Sequence, residues 1–197
     1  MPERLIIGIS GASGAIFGIR LLETLAQSDE YETHLIISPS ARVTIVQETT
    51  YSVSQVEALA DVVHNPADIG ASIASGSFRV RGMIVAPCSI KMLSGVANSY
   101  DADLLTRAAD VQLKEGRPLL LMLRETPLHV GHLRLMVQAA EAGAIIMPPV
   151  PAFYSKPETV EDIVNNIVGR ALARMGIENE LYYEWLGMRK GRPTPKA

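Results

Sequence analysis

The sequence predicts a three-layer α/β fold, in which a parallel sheet is covered by helices on both faces. Two features carry this expectation. Short, continuously apolar runs such as residues 5–9, 83–86 and 119–123 read as strands buried on both faces. Those runs alternate with segments whose apolar residues recur at helical spacing, the order that βαβ units impose. The length of 197 residues, with 48% apolar and 20% charged residues, fits one ordered domain with a sizeable core.

The elements follow in order. Residues 5–9 (Leu-Ile-Ile-Gly-Ile) form a first strand, ended by Ser10-Gly11-Ala12-Ser13-Gly14. Ile16, Ile19, Leu21, Leu22 and Leu25 mark a helix. Residues 31–37 form a second strand, broken by Ser38-Pro39-Ser40, and 41–49 a helix. Residues 50–82 show only short helical pieces and a polar stretch at 72–77. Residues 83–86 form a third strand, stopped by Pro87. Residues 90–98 and 103–115 read as helices, and 119–123 as a fourth strand. The helix over 129–142 closes at Gly143, and a fifth strand over 144–147 ends at Pro148-Pro149. Thr159 caps a last helix over 160–175, with Asp162 serving its first turn. The expected domain spans 1–187. The basic, proline-containing stretch 188–197 is expected to be a disordered tail.

Composition excludes several classes. Eighteen basic against 21 acidic residues give a net charge of −3, so no overall positive field draws the chain to nucleic acid or anionic membrane. The single cysteine, Cys88, excludes an internal disulfide and a cysteine-only metal centre. No apolar segment approaches the roughly 20 residues of a membrane helix, and no signal-peptide core follows Met1. The expected compartment is the cytoplasm.

In an open parallel sheet, ligands bind outside the carboxyl ends of the strands, so residues just after each strand carry the functional information. After the first strand, Ser10–Gly14 can present backbone N–H groups to an anion or form a plain tight turn. The dinucleotide pattern is absent, because Ser10 stands where its second glycine would be, and no Asp or Glu ends the second strand. After the third strand, Ser89 can cap a helix and donate to a ligand, while Cys88 reads as a small buried thiol. After the fourth, Arg124-Glu125 suits phosphate contact and proton handling, or a surface ion pair. After the fifth, three prolines within Pro148–Pro151 stiffen a loop ending on Phe153 and Tyr154; Tyr154 either covers a flat ring or packs. Lys114 either reaches an anion or is a solvated helix-end cation, Arg107 and Asp110 are spaced to pair, and Arg170 beside a core stripe hints at a buried anion. His129 and His132 have helical spacing but no third metal ligand. No acidic D-D-x-x-D motif is present to hold Mg²⁺ on a diphosphate. These residues describe a protein that binds a planar, phosphorylated ligand without a metal.

Gly8–Gly14, Pro87-Cys-Ser89, Arg107–Glu115, Arg124–Leu128 and Pro148–Tyr154 together resemble the UbiX flavin prenyltransferases, long described as phenylacrylic or hydroxyaryl acid decarboxylases. The resemblance covers residues 4–185. It implies a flavodoxin-like (Rossmann-like) sandwich in a dodecamer built from trimers. It also implies transfer of the prenyl group of dimethylallyl monophosphate to N5 and C6 of reduced FMN. The product, prenylated FMN, would serve a UbiD-type aromatic acid decarboxylase. By resemblance, Gly11, Ala12, Ser13, Ser38, Ser89, Ile90, Lys91, Met92 and Arg124 hold FMN. Tyr154 and Arg170 hold the prenyl phosphate, and Lys114 and Glu125 contact it and assist its departure. Ser13 and Glu48 stand near flavin N5, Glu48 reaching in from a neighbouring subunit, and Trp185 helps close the site. Gly116 and the end Leu181-Tyr-Tyr-Glu-Trp185 depart from the family pattern. Two rival readings are an FMN-dependent cysteine decarboxylase and a flavin carrier for a decarboxylase. The first needs a histidine on an early helix, and 41–49 has none.

Overall fold

The structure is a computed structural model and describes residues 2–185 and 187; the expected tail over 188–197 lies outside the described residues. Six parallel strands form the sheet: β1 (Glu3–Ile9), β2 (Tyr31–Ile37), β3 (Val62–His64), β4 (Gly82–Cys88), β5 (Leu119–Leu123) and β6 (Ile145–Ile146). Their spatial order is β3-β2-β1-β4-β5-β6. Without the short edge strand β3, this is the flavodoxin-like order.

Alternation along each strand divides the core into two layers. Leu5, Ile7 and Ile9 of β1, with Leu35, Ile37, Ile84 and Ala86, face α1 (Ala15–Leu25), α2 (Pro39–Glu48), α3 (Val53–Glu57) and α7 (Val160–Arg174). Ile6, Ile36, Met83, Val85, Leu119 and Leu121 face α4 (Ile90–Ala97), α5 (Leu104–Lys114) and α6 (Val130–Glu141). Side-chain period two and two-sided burial explain why the strands are continuously apolar in sequence.

The chain leaves β1 towards one face through α1 and leaves β4 towards the other through α4. These strands are neighbours, paired Leu5↔Gly82 through Gly8↔Val85. Their connections part above the sheet, and the gap between them is the topological switch point where ligands bind.

Three expectations need correction. Residues 50–82, expected to hold only short helical pieces and a polar stretch, contain the strand β3. It is held from outside itself: Asp61 Oδ2 accepts from Thr33 N at 2.7 Å and from Thr33 Oγ1 at 2.8 Å, and His64 Nε2 lies 2.9 Å from His34 Nδ1. β4 does not stop at Pro87 but runs to Cys88, through a cis Ala86–Pro87 bond and a register shift against β5. The helix expected from 41 begins at Pro39, because Ser38 is its cap and its hydroxyl accepts from Ala41 N at 3.2 Å. The caps at Ser89 and Thr159–Asp162 and the turn at Gly143 (φ 108°) form as expected.

Candidate functional site

A crevice of about 1180 Å³ opens at the switch point, large enough for a nucleotide-sized ligand. Ser10 and Gly11 from the end of β1, Ser38 and Ser40 from the start of α2, and Ser89–Met92 from the start of α4 line one side. His129, His132, Leu135 and Gln138 of the α6 segment line the other. Ser10 stitches the floor: its Oγ donates to Pro87 O at 2.8 Å and accepts from Ser89 N at 2.7 Å. The serine that breaks the dinucleotide pattern therefore ties β1 to β4 beneath the site. Gly11 is required by close approach, since a Cβ there would stand 2.4 Å from Ser40 Cβ.

The structure gathers most of the residues nominated for FMN. Gly11, Ser38, Ser89, Ile90, Lys91 and Met92 line the crevice. Ala12 and Ser13 continue the loop above it, and Arg124 leaves the end of β5, where its N donates to Cys88 O at 3.0 Å. The Ser13 hydroxyl and the Lys91 and Arg124 side chains have no protein partner among the described residues. The Ser89 hydroxyl caps α4, accepting from Met92 N at 3.2 Å, so this helix presents its positive end to the crevice.

Glu48 belongs to the same chain as this loop, not only to a neighbour: its Oε2 accepts from Gly14 N at 2.7 Å. The anion taken up by the N-terminal turn of α1 is thus the protein's own carboxylate. The starts of α2 and α4, each capped by a serine, face the crevice.

Other nominated residues lie elsewhere. Arg124 and Glu125 do not form the alternative surface pair; both are exposed, and Glu125 Oε1 accepts from Thr126 N at 3.0 Å. Tyr154 and Trp185 meet edge to face with ring centroids 5.4 Å apart. The chain reaches Trp185 by crossing α7 at Gly169, where a Cβ would stand 2.8 Å from Leu181 Cβ and 2.9 Å from Tyr182 N. Arg170, next to that crossing, is exposed on the single chain rather than set in the core stripe. Lys114 ends α5 and precedes β5, which puts it at the amino ends of the strands, opposite the crevice. It pairs with Glu115 at 2.6 Å. Arg107 pairs with Asp110 at 3.3 Å as expected, and also with Asp101 at 3.0 Å.

Sequence reasoning did not find Ser40, Asn98, Tyr100 or Gln138, which line the crevice only because α2, α4 and α6 converge there. His129 caps α6 by accepting from Gly131 N at 3.0 Å, and its ring lies 3.6 Å from that of His132. Among the described residues no three His, Cys, Asp or Glu side chains gather as metal ligands. Cys88 is buried beneath the crevice, and burial pushes its thiol far up, away from thiolate chemistry. No helix of the described residues is long and apolar enough to cross a membrane.

The flavoprotein family profile matches residues 2–172. Flavin prenyltransferase UbiX of Escherichia coli K12 is 58% identical over 187 residues, covering 94% of this chain and 99% of that one. The chain belongs to the UbiX flavin prenyltransferase family. Two solved UbiX-type structures agree along nearly the whole fold. AnUbiX (PadA1), in complex with FMN and dimethylallyl pyrophosphate, has a TM-score of 0.93 at 46% identity and covers 96% of this chain and 100% of its own. A dodecameric FMN-dependent UbiX-like decarboxylase from Escherichia coli O157:H7 has a TM-score of 0.92 at 50% identity and covers 94% and 100%. In this UbiX-family chain, the five motifs map onto three places: the crevice, the Tyr154–Trp185 ridge and the Lys114 edge.

Proposed function

We infer that this chain is a flavin prenyltransferase that joins the dimethylallyl group of dimethylallyl monophosphate to reduced FMN. The product, prenylated FMN, goes to a UbiD-type decarboxylase. The carrying observation is the 58% identity to such an enzyme over 94% of the chain, with the FMN-type motifs converging on one crevice. The crevice fits a flavin nucleotide in volume, in free donors at Ser13 and Lys91, and in the open N-terminus of α4. Residues 1–187 act as one flavoprotein domain in the cytoplasm, with no nucleic-acid or membrane partner.

Bound reduced FMN supplies the nucleophilic positions N5 and C6. The chain's own residues hold the donor and disperse charge. Glu48, at the end of α2, fixes the loop that carries Ser13 by accepting from Gly14 N, and both would stand by the bound flavin. Tyr154 and Trp185 offer aromatic faces that stabilise allylic positive charge. Arg170 and Lys114 offset the charge that grows on the departing phosphate, and the Glu125 carboxylate carries a proton. Lys114 stands at the wrong end of its own sheet for this role. It therefore acts in the crevice of a neighbouring copy, within a dodecamer like that of the UbiX-like decarboxylase. The cysteine decarboxylase alternative lacks its histidine on α2.

The test is anaerobic incubation with reduced FMN and dimethylallyl monophosphate, without metal, followed by mass spectrometry of the flavin. Gain of one C5 unit is expected, and the diphosphate run alongside is expected to react more slowly. Bound but unmodified FMN, with a control enzyme active, overturns the reading.

A further inference from the structure

Lys91, Arg124 and Arg170 were nominated for ligand contact, and their side chains meet no protein partner among the described residues. Lys114 differs, because its Nζ already holds an anion, Glu115 Oε1, at 2.6 Å. The pair lies across the bare backbone of Gly76, where a Cβ would stand 2.1 Å from Glu115 Oε1 and 2.8 Å from Lys114 Nζ. Arg117 holds this turn, donating to Gly76 O at 2.6 Å and to Phe78 O at 3.0 Å. Lys114 first, and Arg117 after it, hold the Glu115 carboxyl below its usual range. A carboxylate thus occupies the place where two cations favour an anion. On the single chain both side chains are more than one-third exposed, at 44% and 35%, so the pair is weak and easily exchanged before a neighbouring copy covers it. A phosphate monoester brings close to two charges and three acceptor oxygens, and outcompetes one carboxylate.

We propose that Glu115 is a positioning residue that occupies Lys114 until the donor phosphate displaces it, and that it thereby sets the affinity for that phosphate. This rests on the reading that Lys114 contacts the donor phosphate in a neighbouring copy. Glu115→Gln removes the competitor and keeps the shape. Its KM for dimethylallyl monophosphate is expected to fall about two- to fivefold at low salt, the range an exposed pair supports, with kcat unchanged. The gain fades at high salt, and Glu115→Asp returns KM towards that of the unaltered protein. Calorimetric titration of the same donor into protein holding oxidised FMN, which cannot turn over, shows the same fall in Kd. Glu115→Ala provides the same comparison if the glutamine variant does not assemble. Lys114→Met raises KM and abolishes the effect of Glu115→Gln in the double variant. An unchanged or raised KM in Glu115→Gln, with Lys114→Met still raising it, overturns the role of Glu115 and leaves that of Lys114. If Lys114→Met changes neither KM nor Kd, the reading of Lys114 fails and the proposal fails with it.

Discussion

Ser10 is 2% exposed and commits its hydroxyl to two backbone groups, Pro87 O in β4 and Ser89 N at the cap of α4. Ser10→Ala removes this acceptor from the part-buried Ser89 N–H, which costs about 1 kcal/mol. A lower denaturant midpoint with an unchanged slope is the expected reading. Glu125 stands at the other extreme, exposed and, among the described residues, bonded only to Thr126 N. Glu125→Gln is expected to leave stability and FMN binding intact while turnover falls steeply; unchanged turnover removes Glu125 from the mechanism. Cys88 lies beneath the same crevice with its thiol pushed up by burial. It is expected to resist iodoacetamide at pH 8 in the folded protein and to react once the chain is unfolded in denaturant. Labelling of the native protein would contradict the buried placement.

Among the elements, β3 depends most on its neighbours. Three residues have little pairing of their own, and the strand is tied to β2 by Asp61 on Thr33 and by His64 on His34. Burial above all, and then the facing His34, hold His64 below the usual imidazole value, with Asp68 opposing. Glu32, Arg4 and Phe78 complete the surroundings of His34. A lowered pKa in the folded state means that folding favours the neutral ring. That stabilisation is complete above the unfolded value of about 6.5 and is lost as pH falls below it towards the folded value. The thermal midpoint should therefore drop as pH falls below about 6.5, and His64→Gln should flatten that drop. The dependence of β3 on its neighbours also explains why it was illegible in the sequence, whereas β1, β2, β4 and β5 were marked by their apolar runs. Pro87 misled for a related reason, because the floor of the site, not a strand end, surrounds it. The crevice was readable because strand ends follow from the strands themselves. The placement of Lys114 was not, since no one-dimensional pattern says that α5 ends opposite the crevice.

At the scale of the whole molecule, several apolar side chains face outward in a pattern. Val130, Leu133 and Val137 recur along one side of α6 with 60%, 46% and 55% exposure, and Val43 and Val46 do so on α2. Such a stripe, on a chain whose Lys114 we propose acts in a neighbouring copy, is expected to be buried between copies. Leu133→Glu should lower the assembled mass in sedimentation and abolish prenyl transfer, while circular dichroism stays unchanged. Retained mass would place the assembly contacts elsewhere. The position of the crevice has a further consequence for how the protein breathes. Its floor, from Ser10 to Pro87 and Ser89, is built on β1 and β4 in the middle of the sheet. Amide protons there can exchange with deuterium only when the central strands separate, which is global unfolding. The ridge carrying Tyr154 and Trp185 hangs from exposed loops and can exchange through small local openings. The floor of the crevice is thus held on the slowest timescale of the molecule and the ridge on one of its fastest.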